Sequence, residues 1–114
     1  MCARVAVANG HTEHVLMKFA APMSEVQIRD AWLRFEPPVP LPSLPRKPIN
    51  FVTAPDGPQP KLDTGKGDGM CVSVGRLRQS GRDDWAFALV VDNLIRGAAS
   101  VVAIGELLVA QGYV

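Results

Sequence analysis

The sequence has almost no excess charge. Twelve Lys and Arg stand against eleven Asp and Glu, a formal net charge of +1 over 114 residues. The basic residues are scattered, which argues against a nucleic-acid partner, because phosphate binding needs a clustered basic face. Cysteine is scarce as well. Cys2 and Cys71 are the two present, with neither CxxC nor zinc-ligand spacing, so no metal site is read and a reduced, cytoplasmic setting is expected. Long apolar runs are missing. The stretches near residues 86–91 and 98–110 are too short or too interrupted to cross a bilayer, so no membrane partner is expected. The first ten residues include Arg4, Asn9 and Gly10 and read as no signal peptide. The GxGxxG dinucleotide fingerprint is absent. The glycine-rich stretch 61–69 also lacks the Gly-Lys-Ser/Thr ending of a phosphate-binding loop.

What is present suits one small domain. A chain of this length buries about two-thirds of its unfolded surface. Hydrophobic residues make up 47% and charged residues 20%, ordinary globular composition rather than disorder. Strand-like sequence starts at once, which is the expected appearance of a part of a larger protein.

Residues 2–8 alternate and read as a buried strand. Asn9-Gly10 is a strong turn signal, and residues 14–19 read as the return strand, with His11 at or next to the tip. Ser24 and Gln27 form a capping-box pattern for a helix to about Phe35. Val26, Ile28, Trp32, Leu33 and Phe35 form its apolar stripe. Glu36-Pro37-Pro38 stops it. Residues 37–60 hold nine of the ten prolines and read as an extended, irregular segment with a short strand at 49–52. Residues 61–69 read as a polar loop. Residues 70–78 alternate as a strand, and 85–91 form an apolar run expected of a central strand buried on both faces. A final helix is expected over 94–111, with Gly105 allowing close packing and Gly112 as the stop. The order predicts an α+β fold, a mostly antiparallel sheet with helices on one face.

Three positions could carry chemistry. His11, beside Asn-Gly on a turn, is a candidate general acid or base; the alternative is a solvated turn histidine. Arg4 precedes it by seven residues. A guanidinium suits carboxylates and phosphates bidentately; the alternative is a strand-edge arginine paired with a carboxylate such as Asp92. Asn93 opens the last helix, where free N–H groups and the dipole favour an anionic or polar ligand; the alternative is a plain N-cap. His14 has a weaker case. Cys2 and Cys71 are nucleophiles by residue type alone, and Cys71 in strand-like sequence suits a buried, inert thiol.

Several segments carry a family resemblance. Arg4-Val5-Ala6-Val7-Ala8-Asn9-Gly10-His11-Thr12-Glu13 resembles the histidine segment of the aspartate-semialdehyde dehydrogenases. Residues 57–63, 69–78 and 92–99, with Glu106-Leu107-Leu108 and Gly112-Tyr113, are similar to the archaeal and fungal branch. Malonyl-CoA reductase is also similar here. The resemblance implies part of a glyceraldehyde-3-phosphate-dehydrogenase-like catalytic and dimerisation domain, with the N-terminal dinucleotide-binding domain outside residues 1–114. It implies reduction of aspartyl phosphate, a small anionic acyl phosphate, by NADPH through a cysteine thioester. Carried over by position, His11 takes the place of the acid/base histidine, Arg4 that of the substrate arginine, and Asn93 that of the amide near the nicotinamide. The family's nucleophilic cysteine lies upstream of this histidine, so the chain by itself is expected to be inactive. Its expected partners are an N-terminal half or a second copy. The rival expectation is a non-catalytic interaction or dimerisation module.

Overall fold

The computed structural model describes residues 1–3 and 5–114, with Ala3 described by its backbone alone. Eight elements follow one another: β1 (Cys2–Ala3), β2 (His11–Lys18), α1 (Glu25–Arg34), β3 (Ile49–Val52), α2 (Pro60–Asp63), β4 (Val72–Gln79), β5 (Asp84–Val91) and α3 (Ile95–Ala110). The strands form one sheet in the order β1-β2-β5-β4-β3. Three of its pairings are antiparallel and β3–β4 is parallel. The chain is therefore α+β with a mostly antiparallel sheet, as the sequence leads one to expect.

β5 lies in the middle, and its apolar run is explained by cover on both faces. Successive side chains of a strand point to opposite faces. On one face Trp32 of α1 meets Phe87 edge-on, with centroids 5.0 Å apart, and Phe51 at 6.0 Å. Such pairs add about 0.5–1.5 kcal/mol beyond the area they bury. On the other face Ala88 and Val90 pair with Gly75 and Ser73 of β4. Segment 57–63 closes over these: a Cβ on Gly75 would sit 2.9 Å from Pro58 Cδ, and Ser73 Oγ donates to the Asp63 carbonyl. Only glycine lets that segment come so close to the sheet. Val90 ends up with no exposed surface at all.

α1 starts where the capping box puts it. Ser24 Oγ accepts from Gln27 N, and Gln27 Oε1 accepts from Ser24 N. Its apolar residues do not form one buried stripe, however. Ile28 is buried and Trp32 half-buried, while Val26, Leu33 and Phe35 are exposed. Ile28 and Trp32 are four apart and share a face, whereas Val26 and Leu33 lie on a different flank.

The alternation in residues 2–8 also misleads. The described strand covers only Cys2–Ala3, residues 5–8 are not in a strand, and Val5 and Val7 are exposed. Alternation states which face a strand would bury; it does not supply the neighbour that buries it. The proline-rich segment wraps as expected and is pinned at several points. Leu44 N donates to the Leu41 carbonyl, Lys47 Nζ to that of Leu33, and Ser43 to Glu106 of α3. The single turn α2 (Pro60–Asp63) takes up the start of residues 61–69 before they become a glycine-rich loop.

α3 ends in a Schellman motif. Tyr113 N donates to the Leu108 carbonyl, Gly112 N to that of Val109, and Gly112 has φ +75°. Gly105 faces open space rather than a close neighbour. Ala103 is the one buried residue among the helix's sixteen.

Candidate functional site

The site lies at the end of the sheet where β5 stops and β2 starts. His11 pairs with Val91, the last pair of the β2–β5 ladder. One residue on, Asp92 turns the chain, and its buried carboxylate accepts from Leu94 N (2.9 Å) and Ile95 N (2.7 Å). Asp92 therefore satisfies the opening amides of α3 and sits favourably at the positive end of the helix dipole. Two consequences follow for the sequence reading. Asn93 is not the cap, and the first helical amide, Ile95 N, is already taken by Asp92.

With capping done by its neighbour, Asn93 turns elsewhere. Its Oδ1 accepts from Gly10 N at 2.8 Å, across 83 residues of sequence. Gly10 has φ +107°, and a Cβ there would lie 2.5 Å from Thr64 Cγ2 and 3.4 Å from the Val91 carbonyl. Glycine is thus required twice, by the backbone angle and by the approach of α2. The turn before His11 is pressed between the end of β5, the end of α2 and Asn93. Nothing local in the sequence signals this bond.

His11 and Asn93 share a cavity of about 390 Å³, which Cys2, Val7, Asn9 and Thr12 also line. His11 is exposed, and among the described residues its imidazole has no hydrogen-bond partner. Thr12 Oγ1 is buried without a hydrogen-bond partner among the described residues. Cys2 is exposed and lies opposite Glu13 in the strand register. Arg4 lies outside the described residues. The Asn93 amide orientation follows from its neighbour: a backbone N–H can only donate, so Oδ1 must face Gly10, and the Nδ2 hydrogens are what this side chain offers a ligand.

The other groups set aside in the sequence do not join this site. His14 is exposed on β2, three residues further along the strand. Cys71 is buried, its Sγ directed at the Lys47 carbonyl at 3.7 Å. Burial pushes its pKa up, and the Arg96 guanidinium opposes part of that rise. A protonated, buried thiol is a poor nucleophile. Arg96 itself donates to the Met70 carbonyl and ties the start of α3 to the glycine-rich loop. Among the described residues no helix is long and apolar enough to cross a membrane.

Known proteins share both the sequence and the fold. Residues 1–96 match the model of the semialdehyde dehydrogenase dimerisation domain. An aspartate-semialdehyde dehydrogenase of Archaeoglobus fulgidus is 41% identical over 100 residues, 86% of this chain and 28% of the relative. A malonyl-CoA reductase (NADP) of Metallosphaera sedula is 35% identical over 97% of this chain and 33% of its own length. The crystal structure of the Candida albicans aspartate-semialdehyde dehydrogenase with NADP superposes with a TM-score of 0.83 at 33% identity, over 97% of this chain and 33% of that one. The chain thus spans about a third of the length of the relatives it matches. On this agreement of sequence and fold, the chain belongs to the semialdehyde dehydrogenase dimerisation-domain family.

Proposed function

We propose that the chain supplies one side of the active site of an NADP-dependent aspartate-semialdehyde dehydrogenase. His11 is its general acid/base, Arg4 its clamp for the carboxylate end of the substrate, and Asn93 its contact to the nicotinamide. The observation that carries this reading is the shared cavity: an exposed imidazole and an amide with its donor side available border one space. A carboxamide oxygen is an acceptor, so the Nδ2 hydrogens of Asn93 fit it. When bound, NADPH supplies the hydride.

The protein's own part is proton transfer and orientation. His11 takes the proton of a thiol as sulfur attacks the acyl carbon and phosphate leaves. After hydride reaches that carbon the C–S bond breaks, the aldehyde forms, and His11 returns its proton to the departing sulfur. Arg4 holds a small anionic substrate by two parallel hydrogen bonds, which fixes its orientation. The nucleophile belongs to a second segment. Cys71 is buried, and its raised pKa disfavours thiolate. Such an enzyme works in the cytoplasm.

Assay of the purified chain with NADPH and aspartyl phosphate is expected to give no turnover; measurable turnover refutes a shared site. Co-expression with a nucleotide-binding half of a relative is expected to give activity. His11→Ala then lowers kcat by roughly 10²–10⁴, and a loss of less than about tenfold removes His11 from the acid/base role. A second reading is favoured by the apolar residues exposed on α3: a non-catalytic dimerisation module. It predicts a dimer by light scattering together with no activity in the co-expression experiment. Malonyl-CoA in place of aspartyl phosphate tests the reductase relative's substrate class.

A further inference from the structure

We infer that Asn93 is a positioning residue for His11, acting through the backbone of Gly10; this rests on reading His11 as the acid/base group. The His11–Val91 pair closes the β2–β5 ladder, and the last pair of a ladder is where strands open first. Asn93 lies two residues beyond Val91. Its side chain reaches back and takes the next amide of the partner strand, at 2.8 Å from Gly10 N. The side chain thus adds one bond to the ladder after the backbone has turned away. It does so beside the residue whose imidazole needs a fixed place.

The surrounding contacts show why a side chain is used. Backbone pairing cannot continue, because Asp92 has turned into the helix start and its carboxylate is engaged by Leu94 N and Ile95 N. Gly10 at φ +107° is equally unable to continue a strand. Thr64 and Pro60 limit movement on one side of Gly10, and Asn93 holds its amide. Asn93 therefore has two ends with separate work. Oδ1 sets the turn that carries His11, and Nδ2 is left for a ligand. A ligand that accepts from Nδ2 also restrains the Oδ1 bond, because the amide is planar and turns as a unit.

The test uses the full chain and NMR, so it is independent of any activity. Asn93→Ala is expected to speed amide exchange at Gly10 and His11 roughly two- to tenfold, the effect of losing one hydrogen bond. Val15 and Val90 amides in the same sheet stay unchanged. Asn93→Asp keeps the acceptor and is expected to restore protection at Gly10, which a bulk packing role for the residue would not predict. Unchanged exchange at Gly10 and His11 in Asn93→Ala overturns the proposal, and so does failure of Asn93→Asp to restore it. If Asn93→Ala does not fold, the trans-hydrogen-bond scalar coupling between Gly10 ¹⁵N and the Asn93 side-chain carbonyl carbon decides in the unaltered protein. Its detection supports the bond and its absence overturns it. Failure of the acid/base reading appears instead in the His11→Ala kinetics, with these exchange rates unaffected.

Discussion

β5 and α3 are both dominated by apolar residues and meet opposite fates. In β5, Trp85, Ala86, Phe87, Ala88 and Val90 are all buried, with α1 over one face and segment 57–63 over the other. In α3, Val101 is 71% exposed and Ile104 59%, with Val102 and Val109 also open to solvent. Composition is therefore a poor guide to burial. What separates the two is a neighbour on each side, and that is a property of the topology. An apolar surface of the α3 kind, sustained along a helix, is unusual for a free monomer.

This contrast can be broken or sharpened by mutation. The largest effect is expected at Val90. Val90→Asp puts an unpaired carboxylate where no surface is exposed, and a loss of about 3–5 kcal/mol is expected, enough to unfold a small domain. Urea denaturation checks it; a folded variant with an unchanged midpoint would deny β5 its place at the centre of the core. Next comes the joint between the two elements. Asp92→Ala removes the acceptor for Leu94 N and Ile95 N and is expected to cost about 0.5–2 kcal/mol. Circular dichroism and a thermal scan would register it as lost helix and a lower Tm.

A pH effect comes from Cys71. Its thiol is held above its ordinary pKa by burial, so the folded state keeps the proton longer than the unfolded state. That contribution is fully present below the unfolded pKa and is lost as pH rises through the folded one. Alkylation of Cys71 should stay far slower than that of exposed Cys2 until alkaline pH or denaturant opens the fold. Equal rates at neutral pH by mass spectrometry would contradict its burial. The smallest effect belongs to α3. Val101→Lys with Ile104→Lys should change the stability of the monomer by no more than about 0.5 kcal/mol. A large loss would mean that these side chains pack in solution after all.

Much of the fold was legible because its signals are local. The Ser24–Gln27 box, the Gly112 stop and the short strand at Ile49–Val52 each rest on a few adjacent residues. Residues 5–8 misled because alternation carries no information about a partner strand. Gly105 misled because small size permits close packing without requiring it. At the candidate site the residue types at 11 and 93 could be singled out from the sequence. The Gly10–Asn93 bond could not, since it joins positions that only the completed sheet brings together. Likewise, Asp92 hides its capping role behind an asparagine that looks equally suited to it.

The ties between Glu106 and Ser43, and between Arg96 and the Met70 carbonyl, have one more implication. Among the described residues they are the side-chain hydrogen bonds from within α3 to the rest of the fold, one near each end of the helix. Two moorings define an axle. They resist translation and tilt of the helix but oppose roll about the line between them only weakly. A surface laid over Val101 and Ile104 would bear on that roll, while Asn93, two residues before the helix begins, stays tied to Gly10.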